Sequence, residues 1–480
     1  MAARRLILLL AVAAAAFLEG ASGARASKSA QFDLFRLGSS SLSQQAFHDR
    51  YRLSTIAARL RLSSSGPPSS AERRRTRETA AGSRAAADAA AAFAMPLGSG
   101  AYTGIGQYFV RFRVGTPAQP FLLVADTGSD LTWVKCSNSS SSSAAAAKEG
   151  RAFRPERSRT WAPISCASDT CVKSLPFSLA TCPTPGTACA YDYRYKDGSA
   201  ALGTVGTESA TIALSGPAAA PSKAKLKGLV LGCSTSYSGP SFDASDGVLS
   251  LGYSDISFAS HAASRFAGRF SYCLVDHLAP RNATSYLTFG PNPAVSSRTS
   301  SSSCPRAAKP RARETPLVLD ARMRPFYDVS IKAISVNGEF LKIPRAVWDV
   351  DAGGGVILDS GTSLTVLAKP AYRAVVAALD KKLAALPRVT MDPFEYCYNW
   401  TSPSVDDLPK LAVHFAGSAR LEPPGKSYVI DAAPGVKCIG VQEGPWPGIS
   451  VIGNILQQEH LWEFDLKNRR LRFKRSRCTH

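Results

Sequence analysis

Two short runs in the 480-residue chain could do acid–base chemistry as a pair. The first is Asp126-Thr127-Gly128-Ser129 and the second is Asp359-Ser360-Gly361-Thr362. Each carboxylate can gain or lose a proton. The hydroxyl three residues on, Ser129 or Thr362, can hydrogen-bond that carboxylate and fix its orientation. The glycine between them, Gly128 or Gly361, has no side chain and lets another backbone or a ligand come close. One such loop says little, because Asp-Gly-rich turns are common. Two copies in matched contexts say more. If a duplicated fold brings both aspartates into one site, like charges so close together cannot both ionise at moderate pH, and one holds a proton. The ionised partner can draw a proton from a water held between them, while the protonated one hydrogen-bonds a carbonyl oxygen. Water then attacks, and the proton passes to a leaving amine. That chemistry calls for no metal, no cofactor and no covalent intermediate.

The surrounding sequence must supply rigid elements that place these loops. Phe121–Ala125 precedes the first aspartate and Gly355–Leu358 the second, and both read as buried strands. An apolar strand follows each loop, at Leu131–Val134 and Leu364–Leu367. Each half also has a later partner, Asp246–Gly252 in the first and Ser450–Leu456 in the second, so a β unit is duplicated. Tyr108, Val110, Phe112 and Val114 alternate at period two before Gly115-Thr116-Pro117, which predicts a strand and a turn. From Lys369 to Leu386, Tyr372, Val375, Val376, Leu379, Leu383 and Leu386 mark one face of a helix, with Pro370 in its first turn. The 36 glycines and 31 prolines favour a turn-rich β architecture, and the length suits two lobes.

The chain divides accordingly. Arg4 and Arg5 precede an unbroken apolar run, Leu6 to Leu18, and small residues follow, so 1–23 reads as a signal peptide. Ala-, Arg- and Ser-rich sequence up to about Arg84 leaves an organelle transit peptide as the rival. Residues 24–98 read as a prosegment, with a basic knot at Arg73, Arg74, Arg75 and Arg77 and a nearly all-alanine stretch after it. An N-terminal lobe over 99–295, a Ser/Pro/Arg-rich linker over 296–314 and a C-terminal lobe over 315–480 follow. No segment reads as a membrane span, and the basic C-terminus has no hydrophobic tail.

The formal net charge is +21, which raises a polyanion as partner. No RNP, zinc-finger or helix-turn-helix signature accompanies it, which argues against nucleic acid. The 24–98 segment alone carries 12 Lys/Arg against 5 Asp/Glu, so part of the excess would leave with it. The 11 cysteines are scattered, with no CxxC pair, which points to disulfides in an oxidising compartment and away from metal ligation. Sequons at Asn138, Asn282 and Asn399 are candidate glycosylation sites and agree with a secreted or vacuolar chain, with the chloroplast as alternative.

The paired motifs are similar to those of the pepsin family of aspartic proteases, and to its plant nepenthesin-like branch most of all, over roughly Gly104 to Phe473. The resemblance implies a mostly β, bilobal fold, with two pseudo-twofold-related β lobes and a few short helices. It implies a monomeric aspartic-type endopeptidase acting on peptides or proteins at acidic pH, with Asp126 and Asp359 as the catalytic pair. Ser129 and Thr362 would steady the carboxylates, and Gly128 and Gly361 would keep the cleft floor open. Tyr195, in Tyr195-Lys196-Asp197-Gly198-Ser199, takes the place of the flap tyrosine, with Gly198 and Ser199 beside it in the flap. Trp133 takes the place of the tryptophan that supports the flap. Taken alone, Tyr195 reads as an ordinary hairpin aromatic beside an Asp-Gly turn, and Trp133 as core. Cys136, Cys166, Cys171, Cys182 and Cys189 match the branch's Cys-rich insertion, although a Ser/Ala run replaces its compact cluster after Cys136. Cys397 and Cys438 resemble a pair that bridges the C-terminal lobe. Ser250 stands where the family usually has glycine, and modest backbone strain is expected there. The basic charge suggests an optimum that is acidic without being extreme. Two other readings compete: a catalytically weak pepsin-fold binding or inhibitor protein, and a chloroplast protease that contacts DNA.

Overall fold

Strands β1 (Ala92–Ser99), β2 (Tyr108–Val114), β3 (Gln119–Asp126) and β4 (Thr132–Lys135) build the first lobe outward from the Gly115-Thr116-Pro117 turn. The computed structural model describes residues 92–479, apart from 102–105, 138–150, 176–181, 183, 185, 196–198, 216–221, 240, 241, 243, 281, 297–311 and 402–407. β2 and β3 form an antiparallel hairpin with Val114 opposite Gln119 and Phe109 opposite Val124. Gly115 adopts φ +97°, a left-handed conformation that suits glycine at the turn. Val110, Phe112 and Val114 fill one face of β2, as their period-two spacing predicts.

The duplication legible in the sequence is a repeated pairing pattern. β3 runs parallel to Gly247–Ser250, with Asp126 beside Ser250, and β4 crosses the same strand antiparallel, with Trp133 beside Val248. In the second half, Val356–Leu358 runs parallel to Ser450–Ile452, and Thr365–Ala368 meets it antiparallel at Val366 and Val451. Each aspartate loop therefore connects two strands that both lie against one later strand. The lobes are joined by further pairing. Arg269–Cys273 lies against His460–Asp465, and the rings of Phe270 and Phe464 stack with centroids 4.6 Å apart. The chain is thus mostly β, in the bilobal pepsin-like arrangement expected.

Three boundaries differ from the sequence reading. The folded first lobe reaches back to Ala92, seven residues before the expected start at 99: β1 pairs Phe93 with Phe289 and Leu97 with Val110. Phe93, Met95 and Leu97 alternate and are buried, a period-two signal hidden behind the preceding alanine run. A strand Arg313–Val318 begins inside the expected 296–314 linker and pairs with Arg470–Arg475; most of that linker lies outside the described residues. The expected helix spans Lys369–Leu383, one turn short of Leu386. Pro387 follows Leu386, and the residue before a proline is disfavoured in helical geometry. Its apolar face, including Tyr372, Val375, Val376, Leu379 and Leu383, is buried as predicted.

Ten cysteines form five disulfides: Cys136–Cys233, Cys166–Cys182, Cys171–Cys189, Cys273–Cys478 and Cys397–Cys438. The last closes two adjacent strands, as the resemblance implied. Cys136 leaves the insertion and bonds to Cys233 on the strand Ser222–Ser238, which lies parallel to β4. The eleventh, Cys304, lies outside the described residues.

One buried carboxylate gives the fold a measurable pH dependence. Asp328 lies between Tyr327 and Val329 and is 6% exposed. Burial pushes its carboxyl up to about 6, against backbone N–H bonds from Val356 and Val329 that favour the charged form. Because the folded value lies above the unfolded one, the ionised form destabilises the fold above about pH 6. That cost fades as the pH falls toward about 4. Asp328→Asn is therefore expected to raise unfolding stability, relative to the parent, by about 1–3 kcal/mol at about pH 7.5 and by little near about pH 4. Urea titrations at both pH values check this; an equal difference at the two would contradict it.

Candidate active site

Asp126 is the last residue of β3, and Asp359 follows the strand Val356–Leu358, so two buried strands deliver both carboxylates to strand ends. Both aspartates are buried. Their surroundings match atom for atom. The Gly128 N–H donates to Asp126 Oδ1 at 2.9 Å, and the Gly361 N–H donates to Asp359 Oδ1 at 2.9 Å. The Ser129 hydroxyl donates to Asp126 Oδ2, and the Thr362 hydroxyl to Asp359 Oδ2 at 2.6 Å. Such bonds favour the charged carboxylate and fix its plane. The Ser129 and Thr362 hydroxyls thus lie on the aspartates, as the sequence predicts, and the Gly128 and Gly361 N–H groups join them there.

Two residues that sequence reasoning left without a role tie the loops together. The Thr127 N–H donates to Ser360 Oγ at 3.0 Å, and the Ser360 N–H donates to Thr127 Oγ1 at 2.9 Å. The Ser360 hydroxyl reaches back to the Ala125 carbonyl at 2.8 Å, and the Thr127 hydroxyl reaches the Leu358 carbonyl at 3.3 Å. Each hydroxyl thus spans to the strand that carries the opposite aspartate. Asp126 and Asp359 each sit one residue from this contact, on loops that meet at the junction of the lobes. The signal was present in the sequence, since the middle residue of both motifs is a hydroxyl; its reciprocal use emerges only once the loops meet. Asn454 braces the junction further, donating to the Ser360 carbonyl at 3.0 Å and the Gly106 carbonyl at 2.7 Å.

The family glycine is kept at Gly453, where a Cβ would lie 2.5 Å from the Leu364 carbonyl oxygen. Its counterpart Ser250 is fully buried without a positive φ. Its Oγ lies 2.7 Å from Thr132 Oγ1 and accepts from the Phe258 N–H at 3.0 Å. The serine therefore fits by hydrogen bonding, and the strain expected from the sequence is not observed.

Trp133 and Tyr195 meet as the resemblance implied. The indole N–H of fully buried Trp133 donates to the Tyr195 hydroxyl at 2.6 Å, and Phe242 packs edge-on against both rings. Tyr195 is half-buried, but its hydroxyl end is enclosed. Burial chiefly, then Tyr193 and, more weakly, Asp126, hold the hydroxyl protonated well above its usual range, against the pull of the Trp133 bond. Tyr193 donates to Asp130 at 2.7 Å, one residue past Ser129, so the tyrosine strand is anchored to the first aspartate loop. Ser199 is buried, and its carbonyl accepts from the Tyr195 N–H at 2.7 Å, closing the hairpin base. Gly198 lies outside the described residues, as does Asn138. Asn282 is exposed, while Asn399 is half-buried and accepts from the Thr401 N–H. Removing the indole donor should loosen Tyr195 without touching the carboxylates. Trp133→Phe is expected to raise KM for a peptide about three- to tenfold, through one lost hydrogen bond of roughly 1 kcal/mol, with a smaller change in kcat. A larger fall in kcat than rise in KM would contradict that division of labour.

Two family models match the chain, xylanase inhibitor N-terminal over residues 108–291 and xylanase inhibitor C-terminal over 326–475. Aspartyl protease family protein 2 of Arabidopsis thaliana is 33% identical over 391 residues, covering 81% of this chain and 74% of that protein. Aspartic proteinase nepenthesin-2 of Nepenthes gracilis is 29% identical over 382 residues, covering 78% and 79%. Among solved structures, basic 7S globulin from soybean superposes with a TM-score of 0.59 at 19% identity, covering 80% of this chain and 95% of that one, a likeness of fold alone. With both aspartate loops in matching geometry and similarity running through both lobes, the chain belongs to the pepsin-like aspartic protease family, in its plant nepenthesin-like branch.

Proposed function

We propose that the chain is an aspartic-type endopeptidase that hydrolyses peptide bonds with water activated between Asp126 and Asp359. The observation that carries this reading is the reciprocal Thr127–Ser360 lock between two identically hydrogen-bonded aspartate loops. Because the two carboxylates have near-identical partners, a single proton can sit on either. The ionised member takes a proton from the water; the protonated member hydrogen-bonds the scissile carbonyl and stabilises the oxygen as it gains charge. The proton then passes to the leaving amine. Tyr195, protonated over the whole working range, can donate to bound substrate from the flap. Hydrolysis that needs one carboxylate ionised and its partner protonated belongs at acidic pH. The substrates are peptides or proteins, and the apolar Leu6–Leu18 run with the disulfides supports a secreted or vacuolar enzyme. A pH–rate profile on a fluorogenic peptide, with and without pepstatin, tests the reading. A pepstatin-sensitive bell with its maximum between about pH 3 and about pH 6 is expected. A maximum below about pH 2, or pepstatin-resistant cleavage, would contradict it.

The match of both lobes to xylanase inhibitor family models favours one second reading, a pepsin-fold protein that binds a glycosidase instead of cutting. Tight xylanase inhibition by a protein inactive on every peptide would establish it. The complete carboxylate pair favours the protease.

A further inference from the structure

β2 presents two arginines on the face that continues outward from the flap. Along that face of the hairpin, Phe109 and Val124 pack in the cluster that holds Trp133 and Tyr195; Arg111 and Arg113 follow on β2, opposite Leu122 and Pro120. Arg111 and Arg113 are exposed, and neither has a hydrogen-bond or ion-pair partner among the described residues. With Arg151 they border a cavity of about 150 Å³ whose walls include Pro120 and Leu122. Arg151 is fixed there by Asp246, 2.9 Å away, and Asp246 is itself pinned by the Leu122 N–H at 2.7 Å.

We propose that this patch is an exosite for acidic segments of the protein substrate. The proposal rests on the endopeptidase reading and adds a substrate class to it. Alternate residues of β2 stand about 6.7 Å apart, which is also the spacing of alternate side chains in an extended peptide. Asp or Glu at every second position of such a peptide meets Arg111 and Arg113 in register, and Arg151 closes the end. Arginine suits this task, since its planar fork can hold a carboxylate by two bonds. The apolar walls take the aliphatic stems. Leu122 and Pro120 lie four and six residues before Asp126, so the patch begins roughly 13–20 Å from the dyad along β3. A substrate chain reaches it with about four to six extended residues beyond the cut.

The test uses two fluorogenic peptides with one shared cleavage core, one of them carrying an alternating Asp/Gly/Glu/Gly tail, assayed near about pH 5.5, where side-chain carboxylates are mostly ionised. The tail is expected to lower KM about fivefold at low salt, the sum of two or three exposed ion pairs, with kcat unchanged. The gain should vanish in about 0.5 M salt and in Arg111→Gln/Arg113→Gln, while the untailed core behaves alike in parent and variant. Equal KM for the two peptides, or a tail effect that survives in the variant, overturns the exosite. If the parent cuts neither peptide, the endopeptidase reading has failed, and fluorescence anisotropy of the labelled tail decides the patch separately. Binding weakened by the double substitution supports it; equal binding to parent and variant, or binding of DNA with none of the tail, overturns it.

Discussion

Asp126→Asn and Asp359→Asn are each expected to lower kcat on a peptide by about 10³–10⁴-fold, with folding stability little changed. Asparagine has the size of aspartate and keeps an oxygen that accepts from the Gly128 or Gly361 N–H. What it loses is the proton equilibrium. An amide at either position cannot take a proton from water at working pH, nor hand one to a departing amine. The two losses should not add: once one carboxylate is gone, the pair no longer shares a proton, and the double variant should resemble either single one. Steady-state kinetics on the three variants check this, with circular dichroism to show that each is folded. A variant that keeps more than about a tenth of parent kcat would show that its carboxylate takes no part in the proton transfers.

Ser360→Ala should lower both stability and rate. The change removes the acceptor of the buried Thr127 N–H and the donor to the Ala125 carbonyl. Leaving such groups unpaired costs about 1–3 kcal/mol each, so a loss of about 2–4 kcal/mol is expected. The rate should fall as well, because the lock sets the separation of the aspartates, and a displacement near about 1 Å can cost about 10²-fold. Ser360→Thr keeps the hydroxyl and should recover most of both. Thr127→Val removes the opposite hydroxyl, and a double-mutant cycle with Ser360→Ala should give a coupling of about 1–3 kcal/mol, since losing either backbone-to-hydroxyl bond lets the loops part and weakens the other. Additive losses would mean that the reciprocal contact contributes nothing beyond its parts.

The duplicated half was legible because its cause is local. Apolar strands ending in Asp126 and Asp359, with a hydroxyl and a glycine at fixed offsets, are visible in any single sequence. So was the helix face from Tyr372 to Leu383, because its period is set by backbone geometry. What could not be read was anything made by chain segments far apart. Thr127 and Ser360 are separated by 233 positions, and nothing in either loop names the other as its partner. Cys136 bonds 97 residues away and Cys273 205 residues away, across loops whose closure no spacing rule fixes. β1 was missed for a different reason. Its alternation of Phe93, Met95 and Leu97 is short and follows an alanine run, so composition outweighed pattern. Its place is fixed by a distant partner: Phe93 stacks on Phe289 with ring centroids 4.9 Å apart. Ser250 shows the limit of reading by resemblance: the departure from glycine is plain in the sequence, while its accommodation depends on Thr132 and Phe258.

Whether Asp126 and Asp359 jointly hydrolyse peptide bonds is decided by a digest of a peptide library. The purified protein is assayed across about pH 3 to about pH 7, beside Asp359→Asn prepared in the same way. Cleavage by the parent at acidic pH, blocked by pepstatin and absent from Asp359→Asn, is expected. The same cleavage products from Asp359→Asn, or none from the parent at any pH, would refute a shared role for the two carboxylates.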